Sequence, residues 1–184
     1  MMGSEGVILS RLLPWAAATE ADWEAVFAEQ LPRVHNFFRY RVGDGPDAED
    51  LTSETFERAW RARHRYRRDL AAFTTWLFTI ARNLAIDHYR GRRAQLGLEA
   101  AAHLPGGRTP EEIAVERSDF DRLSGLLDRL PERERELIGL KYGAGLTNRT
   151  IARLNGLSES NVGTILHRTV ETLRAGWFSE GVAP

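Results

Sequence analysis

Apolar side chains recur every three or four residues along most of the chain, and β-branched residues nowhere alternate with polar ones between turns. A repeat near 3.6 buries one stripe of a helix, whereas a repeat of two buries one face of a strand. The chain is therefore expected to be all-α. Trp23, Val26, Phe27 and Leu31 mark the apolar side of a first helix over 21–30. Pro32 is expected to restart it, with Val34, Phe37, Phe38 and Tyr40 continuing to a stop at Gly43. Asp44-Gly45-Pro46 reads as a turn before a helix starting near Asp47, with carboxylates in its first turn, where the helix dipole favours them. Leu51, Thr55, Phe56 and Trp60 are its expected inner face, and the Arg-dense stretch 61–71 reads as a loop. Phe73, Leu77, Ile80, Ala81 and Leu84 then set a long helix over 72–92.

Large side chains thin out over 94–110, where Gly97, Pro105, Gly106, Gly107 and Pro110 gather. This stretch is expected to be a flexible linker with room for a short helical piece. From 94 to 116 it would reach roughly 75 Å at ~3.3 Å per residue. Further helices are expected over 120–130, from Pro131 to about Tyr142, over 147–154, and from Ser158 to about Arg174. The expected organisation is thus an N-terminal extension (1–20), a helical module (21–93), a linker (94–117), a second helical module (118–176) and a tail (177–184).

Composition removes several classes of function. The 184 residues include no cysteine, which excludes disulfide scaffolds, thiolate metal sites and cysteine nucleophiles. No apolar run approaches the roughly 20 residues that span a bilayer. Arg11 and Pro14 break the apolar stretch near the start, so a secretory signal is not expected and the chain reads as cytoplasmic. Five scattered histidines, with no HExxH, Gly-rich phosphate loop or nucleophile elbow, predict neither an enzyme nor a metal or cofactor site.

Charge is divided sharply. Between Asp44 and Glu57 there are six carboxylates and no cation, whereas from Arg58 to Arg93 there are ten arginines against two aspartates. Such a split predicts one surface for a basic partner beside another for an anionic one. Lys141 is the single lysine among 25 cationic residues. Arginine suits phosphates and base edges because its planar fork donates in pairs, although a GC-rich genome would produce the same bias through codon choice.

The C-terminal pattern reads as a helix-turn-helix. Thr147 caps a short helix carrying Ile151, Ala152 and Leu154; Gly156 suits a left-handed turn; Ser158 caps a helix with Val162, Ile165, Leu166, Val170 and Leu173 at helical spacing. Ser160, Asn161, Thr164, His167 and Arg168 are candidates to face a DNA major groove, with Arg149 and Arg153 near phosphates. An ordinary helical hairpin with a solvated outer face is the alternative. From Thr147 to Arg174 four arginines meet two glutamates, so this pair should grip DNA weakly without a partner already holding the duplex. Upstream, Asn83, Asp87 and Arg90 share one face of the long helix, with Arg82, Arg92 and Arg93 adding cationic reach. The loop before it supplies Arg65, Tyr66, Arg67 and Arg68, which suit an unpaired strand.

The runs DAEDLTSETFERAWRAR and FTTWLFTIARNLAIDHYRGRR resemble domain 2 of a bacterial sigma factor of the extracytoplasmic-function group, within the sigma-70 family. The run LDRLPERERELIGLKYGAGLTNRTIARLNGLSESNVGTILHRTVETLR resembles domain 4 of the same group. The resemblance covers Trp23 to Arg93 and Leu126 to Arg174. It implies that Asp47, Asp50, Leu51, Glu54 and Phe56 dock on the clamp helices of the largest subunit of core RNA polymerase, with the flap as a further contact. It implies that Arg65, Tyr66, Arg67, Arg82, Asn83, Asp87, Arg90 and Arg93 meet the minus-ten promoter element, where an unpaired base is captured as the strands open. Arg149, Arg153, Ser160, Asn161, Thr164, His167 and Arg168 would read the minus-thirty-five element. An anti-sigma factor, often membrane-bound, is an implied partner. Gly163 and Ile165 stand where this family often carries Lys or Arg. Two rivals are a LuxR-type response regulator, which would need an α/β domain in front, and an adaptor that docks on polymerase without promoter function.

Overall fold

Helix α1 spans Glu20–Val42 without a break, in a computed structural model that describes residues 20–67, 72–102 and 119–180. Pro32 lies inside the helix and does not restart it. Its missing N–H deprives only the carbonyl of Ala28, and both residues are exposed, so solvent can serve that carbonyl. Helix α2, Pro46–Ala62, opens on a proline where a helix needs no N–H, and buries Ala48, Leu51, Thr52, Thr55, Phe56 and Ala59. The two buried threonine hydroxyls donate to the carbonyls of Ala48 (2.6 Å) and Leu51 (2.7 Å), so neither is left unpaired in the core. The expected loop begins later than predicted, since α2 includes Arg61 and Ala62 and a 3₁₀ turn follows over Arg63–Arg65. Trp60, expected inside, is 42% exposed.

Helix α3, Phe73–Ala102, runs past its predicted end at 92 and into the predicted linker. The rest of that linker, 103–118, lies outside the described residues. The C-terminal half contains α4 (Asp119–Asp128), α5 (Glu132–Ile138) extended by a π-helical turn over Gly139–Gly143, α6 (Asn148–Asn155) and α7 (Glu159–Glu180). No strand occurs among the described residues. Helix α7 continues beyond its expected end near Arg174.

The two modules do not stand apart. Val34, Phe37, Phe38, Leu77 and Phe78 of the first half join Leu127, Leu137, Leu140, Ile151 and Val162 of the second in one continuous core. The Phe37 ring meets Phe38 (5.2 Å) and Phe78 edge-on (5.9 Å). Burial of each such side chain stabilises the fold by about 1.5–3 kcal/mol. Two glycines let the backbones approach. A Cβ at Gly143 would sit 2.7 Å from the Asn36 carbonyl oxygen and 3.1 Å from the Phe37 Cα, and one at Gly139 would sit 3.3 Å from the Phe37 ring.

Gly143→Ala should therefore push the π turn off α1, at about 1–3 kcal/mol by analogy with overpacked cores. Gly125→Ala, on an exposed helical position with nothing within 4 Å of an added Cβ, should stabilise by about 0.5–1 kcal/mol. Urea unfolding midpoints check the opposite signs, and small-angle scattering should show expansion only for the Gly143 variant.

Candidate nucleic-acid interface

Local hydrogen bonds build the helix-turn-helix. The Thr147 hydroxyl accepts the Thr150 N–H (3.2 Å), and the Ser158 hydroxyl accepts the Asn161 N–H (3.2 Å), so each helix begins on a side-chain cap. Between them Gly156 adopts φ 63°, ψ 34°, the left-handed conformation that glycine holds without strain. Val162, Ile165 and Leu166 turn inward on α7, and Ala152 is buried on α6, the helix packed against it. Ser160, Asn161, Thr164, His167 and Arg168 are all exposed on the opposite side of α7, with Arg149 and Arg153 exposed on α6. Ile165 is 8% exposed, so a cation at that position would point into the core; its apolar identity follows from packing.

On α3, Asn83, Asp87 and Arg90 are exposed along one face while Leu77, Ala81, Leu84 and Ala85 are buried along another. Arg65 and Arg67 are exposed ahead of the helix, and Tyr66 packs its ring against Phe73 (5.4 Å) and Trp76 (5.1 Å). This aromatic cluster ties the end of the arginine-rich segment to the first turn of α3. Arg93 lies on the helical backbone of α3, and Arg68 falls outside the described residues. Arg82 does not pair with Asp87: its Nε–H donates to a carboxylate oxygen of Glu136, on α5 of the other module.

The acidic face lies on α2. Asp47 and Asp50 are exposed, Glu54 is held by Arg58 (2.6 Å), and Glu57 by Arg61 (2.5 Å). Asp47 lies 3.5 Å from the His88 Nε2 and 3.9 Å from Arg92. Leu51 and Phe56 belong to the core (6% and 7% exposed), so they position the helix from beneath. Beside this face, Trp23, Phe27, Leu31, Phe56 and Trp60 line an open apolar cleft of about 610 Å³. Phe27 and Leu31 are 42% and 37% exposed, which departs from their expected place inside. Local periodicity put them on the apolar side of α1 but carries no information about whether another element covers that side.

Sequence reasoning missed the seam between the modules. Arg41 is fully buried there, donates to the Glu132 carbonyl (2.9 Å) and lies 4.8 Å from the Tyr89 ring centroid. Burial pulls its guanidinium pKa down, against the opposing pull of Tyr89, Glu136 and Glu132. Arg135 donates to the Tyr89 hydroxyl (3.0 Å) and Arg33 to the Ala144 carbonyl (2.9 Å). One signal was available: Arg41 falls on the apolar repeat of Val34, Phe37 and Phe38, where a charge is expensive unless another element satisfies it. Among the described residues no helix is long and apolar enough to cross a membrane, and no cluster of His, Asp or Glu could hold a metal ion.

Comparison with known proteins bears on the same two regions. Residues 26–95 match Sigma-70 region 2, and residues 126–175 match Sigma-70, region 4. The ECF RNA polymerase sigma factor BldN of Streptomyces coelicolor is 33% identical over 92% of this chain, which spans 66% of that protein. The ECF RNA polymerase sigma factor SigL of Mycobacterium tuberculosis is 31% identical over 90% of this chain and 94% of its own length. Among solved structures, the sigma factor RpoE in complex with the anti-sigma factor NepR from Bartonella quintana superposes with a TM-score of 0.68. That match has 21% identity and covers 85% of this chain and 96% of the other. CnrH in complex with the cytosolic domain of CnrY gives a TM-score of 0.63 at 21% identity, covering 92% and 95%. At such identities the structural likeness speaks for the fold.

Three arginines of the helix-turn-helix, Arg149, Arg153 and Arg168, are exposed, whereas Arg174 is already paired with Glu171 (2.9 Å). Duplex binding by the chain without a partner should then fall with log salt at a slope no steeper than about −3, at roughly −0.9 per neutralised phosphate. Fluorescence anisotropy from 50 to 200 mM salt checks this, and a slope near −6 would reveal phosphate contacts outside these residues.

Proposed function

Because the chain belongs to the sigma-70 family, in its extracytoplasmic-function group, we propose that its divided surface is the means by which it joins core RNA polymerase to a promoter. The protein is a transcription initiation factor whose partners are core polymerase and promoter DNA. In this reading Asp47, Asp50 and Glu54 on α2 meet the basic clamp helices of the largest polymerase subunit, with Leu51 and Phe56 holding that helix in place. Opposite charges speed such an encounter and set its orientation. The face of α3 bearing Arg82, Asn83, Asp87, Arg90 and Arg93, with Arg65, Tyr66 and Arg67 before it, takes the minus-ten element. There the capture of an unpaired base offsets the few kcal/mol that unstacking costs, so binding and opening become one event. Arg149, Arg153, Ser160, Asn161, Thr164, His167 and Arg168 read the minus-thirty-five element in duplex form.

The observation that carries this reading is the partition of side chains on the folded chain. All seven residues assigned to the minus-thirty-five element are exposed together on the helix-turn-helix, opposite its buried stripe. The carboxylates of α2 form a separate exposed set. Such surfaces bind and orient; the polymerase supplies the bond-forming chemistry, so the chain works without a catalytic residue, metal or cofactor of its own. Its place is the cytoplasm, where polymerase and promoters are. The solved relative RpoE, bound to the anti-sigma factor NepR, supports an inhibitor of that type as a third partner.

Asp50→Lys and Glu54→Lys should weaken core polymerase binding by about tenfold or more, since each reverses a charge at a surface read as electrostatic. Asn83→Ala should leave core affinity unchanged and reduce promoter opening. Holoenzyme formation followed by anisotropy, with permanganate footprinting of the opened strand, separates the two steps. Equal losses of core affinity in all three variants would sink this division of labour.

A further inference from the structure

The outer side of α1 and α2 carries more apolar surface than a solvated helix pair needs. Trp23, Phe27 and Leu31 of α1 line the cleft of about 610 Å³ together with Ser53, Phe56 and Trp60 of α2. A second hollow of about 320 Å³ shares Leu31 and Ser53 with it and reaches His35 and Glu49. The two helices pair antiparallel here, with Trp23 edge-on to Trp60 (5.7 Å) and Phe27 against Phe56 (4.4 Å). The hollows therefore form one groove along the helix junction. From Trp23 to His35 it runs about 18 Å, at 1.5 Å per helical residue. Single exposed apolar side chains are ordinary, but Phe27, Leu31 and Trp60 are exposed in one contiguous patch, and such a patch marks a surface that something covers.

Charge and position select the cover. Outside the described residues, two stretches of the chain are long enough to lie along this groove, 1–19 and 103–118. The rim is acidic: Glu49 and Glu57 line it, and Asp50 and Glu54 are their neighbours on α2. The stretch 103–118 would bring Glu111, Glu112 and Glu116 to that rim, with only Leu104, Ile113 and Val115 to fill the groove. Residues 7–15 offer Val7, Ile8, Leu9, Leu12, Leu13 and Trp15, and their one charge is the cation Arg11. Opposite charges favour the second stretch. The point of attachment agrees, because α1 opens at Glu20, three residues before Trp23, at the groove's own end. Residues 16–19 supply the four positions that a chain reversal takes. The nine residues before them cover about 14 Å wound as a helix or ~30 Å drawn out, which brackets the groove's length.

We infer that residues 7–15 are the occupant of the α1–α2 groove, folded back within the same chain so that their apolar side chains fill it and Arg11 meets its acidic rim. The tether makes such an occupant effective without tight intrinsic binding, since a short linker holds it at millimolar effective concentration. The segment is a cover in cis for an apolar face that water would otherwise wet.

The chain has no cysteine, so single introduced thiols can report on the groove in the full-length protein. Ser53→Cys places one at an exposed groove position. Its reaction with a maleimide dye should become at least about fivefold faster once the segment carries Leu9→Asp, Leu12→Asp and Leu13→Asp. Those changes precede α1 and leave every core residue of the helices in place. Ala25→Cys, on an exposed part of α1 that lines neither hollow, should react equally fast with and without the aspartates. In a separate measurement, Leu12→Cys with Ser53→Cys should form a disulfide within one chain at least about fivefold faster than Leu12→Cys with Ala25→Cys, although Ala25 is much nearer in sequence. Equal labelling of the Ser53 variant with and without the aspartates, or cross-linking no faster than at Ala25, would overturn the inference. Disulfides joining two chains would also overturn it, by making a second copy the occupant, as would protection that appears only when core polymerase is added.

Discussion

Everything the two halves do to one another depends on how closely the π turn approaches α1. At Gly143 the backbones come so near that no side chain fits between them, and this sets the depth to which Leu137, Leu140 and Phe37 interlock. The polar seam is a consequence. Once the backbones are that close, the arginines of α1 and α3 can reach a carbonyl and a carboxylate on α5 and the Ala144 carbonyl just past the π turn. Apolar contact supplies most of the stabilisation, because hydrogen bonds traded against water contribute only about 0.5–1.5 kcal/mol each. The polar contacts decide which groups are covered.

That division explains why a factor of this family is assembled from surfaces rather than from a pocket. The helix-turn-helix keeps Ser160, Asn161, Thr164, His167 and Arg168 in water at no cost to the fold, since its own stripe of Val162, Ile165 and Leu166 faces inward. The carboxylates of α2 also stay at the surface, Glu54 and Glu57 paired with Arg58 and Arg61 of the same helix, because Leu51, Thr55 and Phe56 beneath them meet the core. The face of α3 alone is shared between solvent and the other module. Arg82 stands at that boundary, and its neighbours Asn83, Asp87 and Arg90 remain outside it.

Much of this was legible beforehand. The caps at Thr147 and Ser158, the turn at Gly156 and the outward side of α7 all follow from interactions between residues a few positions apart. The carboxylate run and the arginine run were equally plain, and the resemblance to sigma domains 2 and 4 located the two modules. Errors gathered where local rules meet context. A local rule ends a helix at Pro32, yet packing carries α1 through it, and the small residues after Arg92 suit a linker, yet α3 continues through them to Ala102. Phe27, Leu31 and Trp60 fall on the apolar side by periodicity yet are exposed, because periodicity marks such a side without saying whether anything covers it.

The amino-acid order alone determined the helical class, the helix caps and the two families of charged surface, because periodicity, capping and charge are properties of short stretches of chain. Tertiary structure alone decided that the modules share a core, that Arg41 is buried, and that Arg82 faces Glu136 across 54 residues of sequence. Such pairings depend on the shape of two packed surfaces, and shape emerges only when distant segments exclude water together.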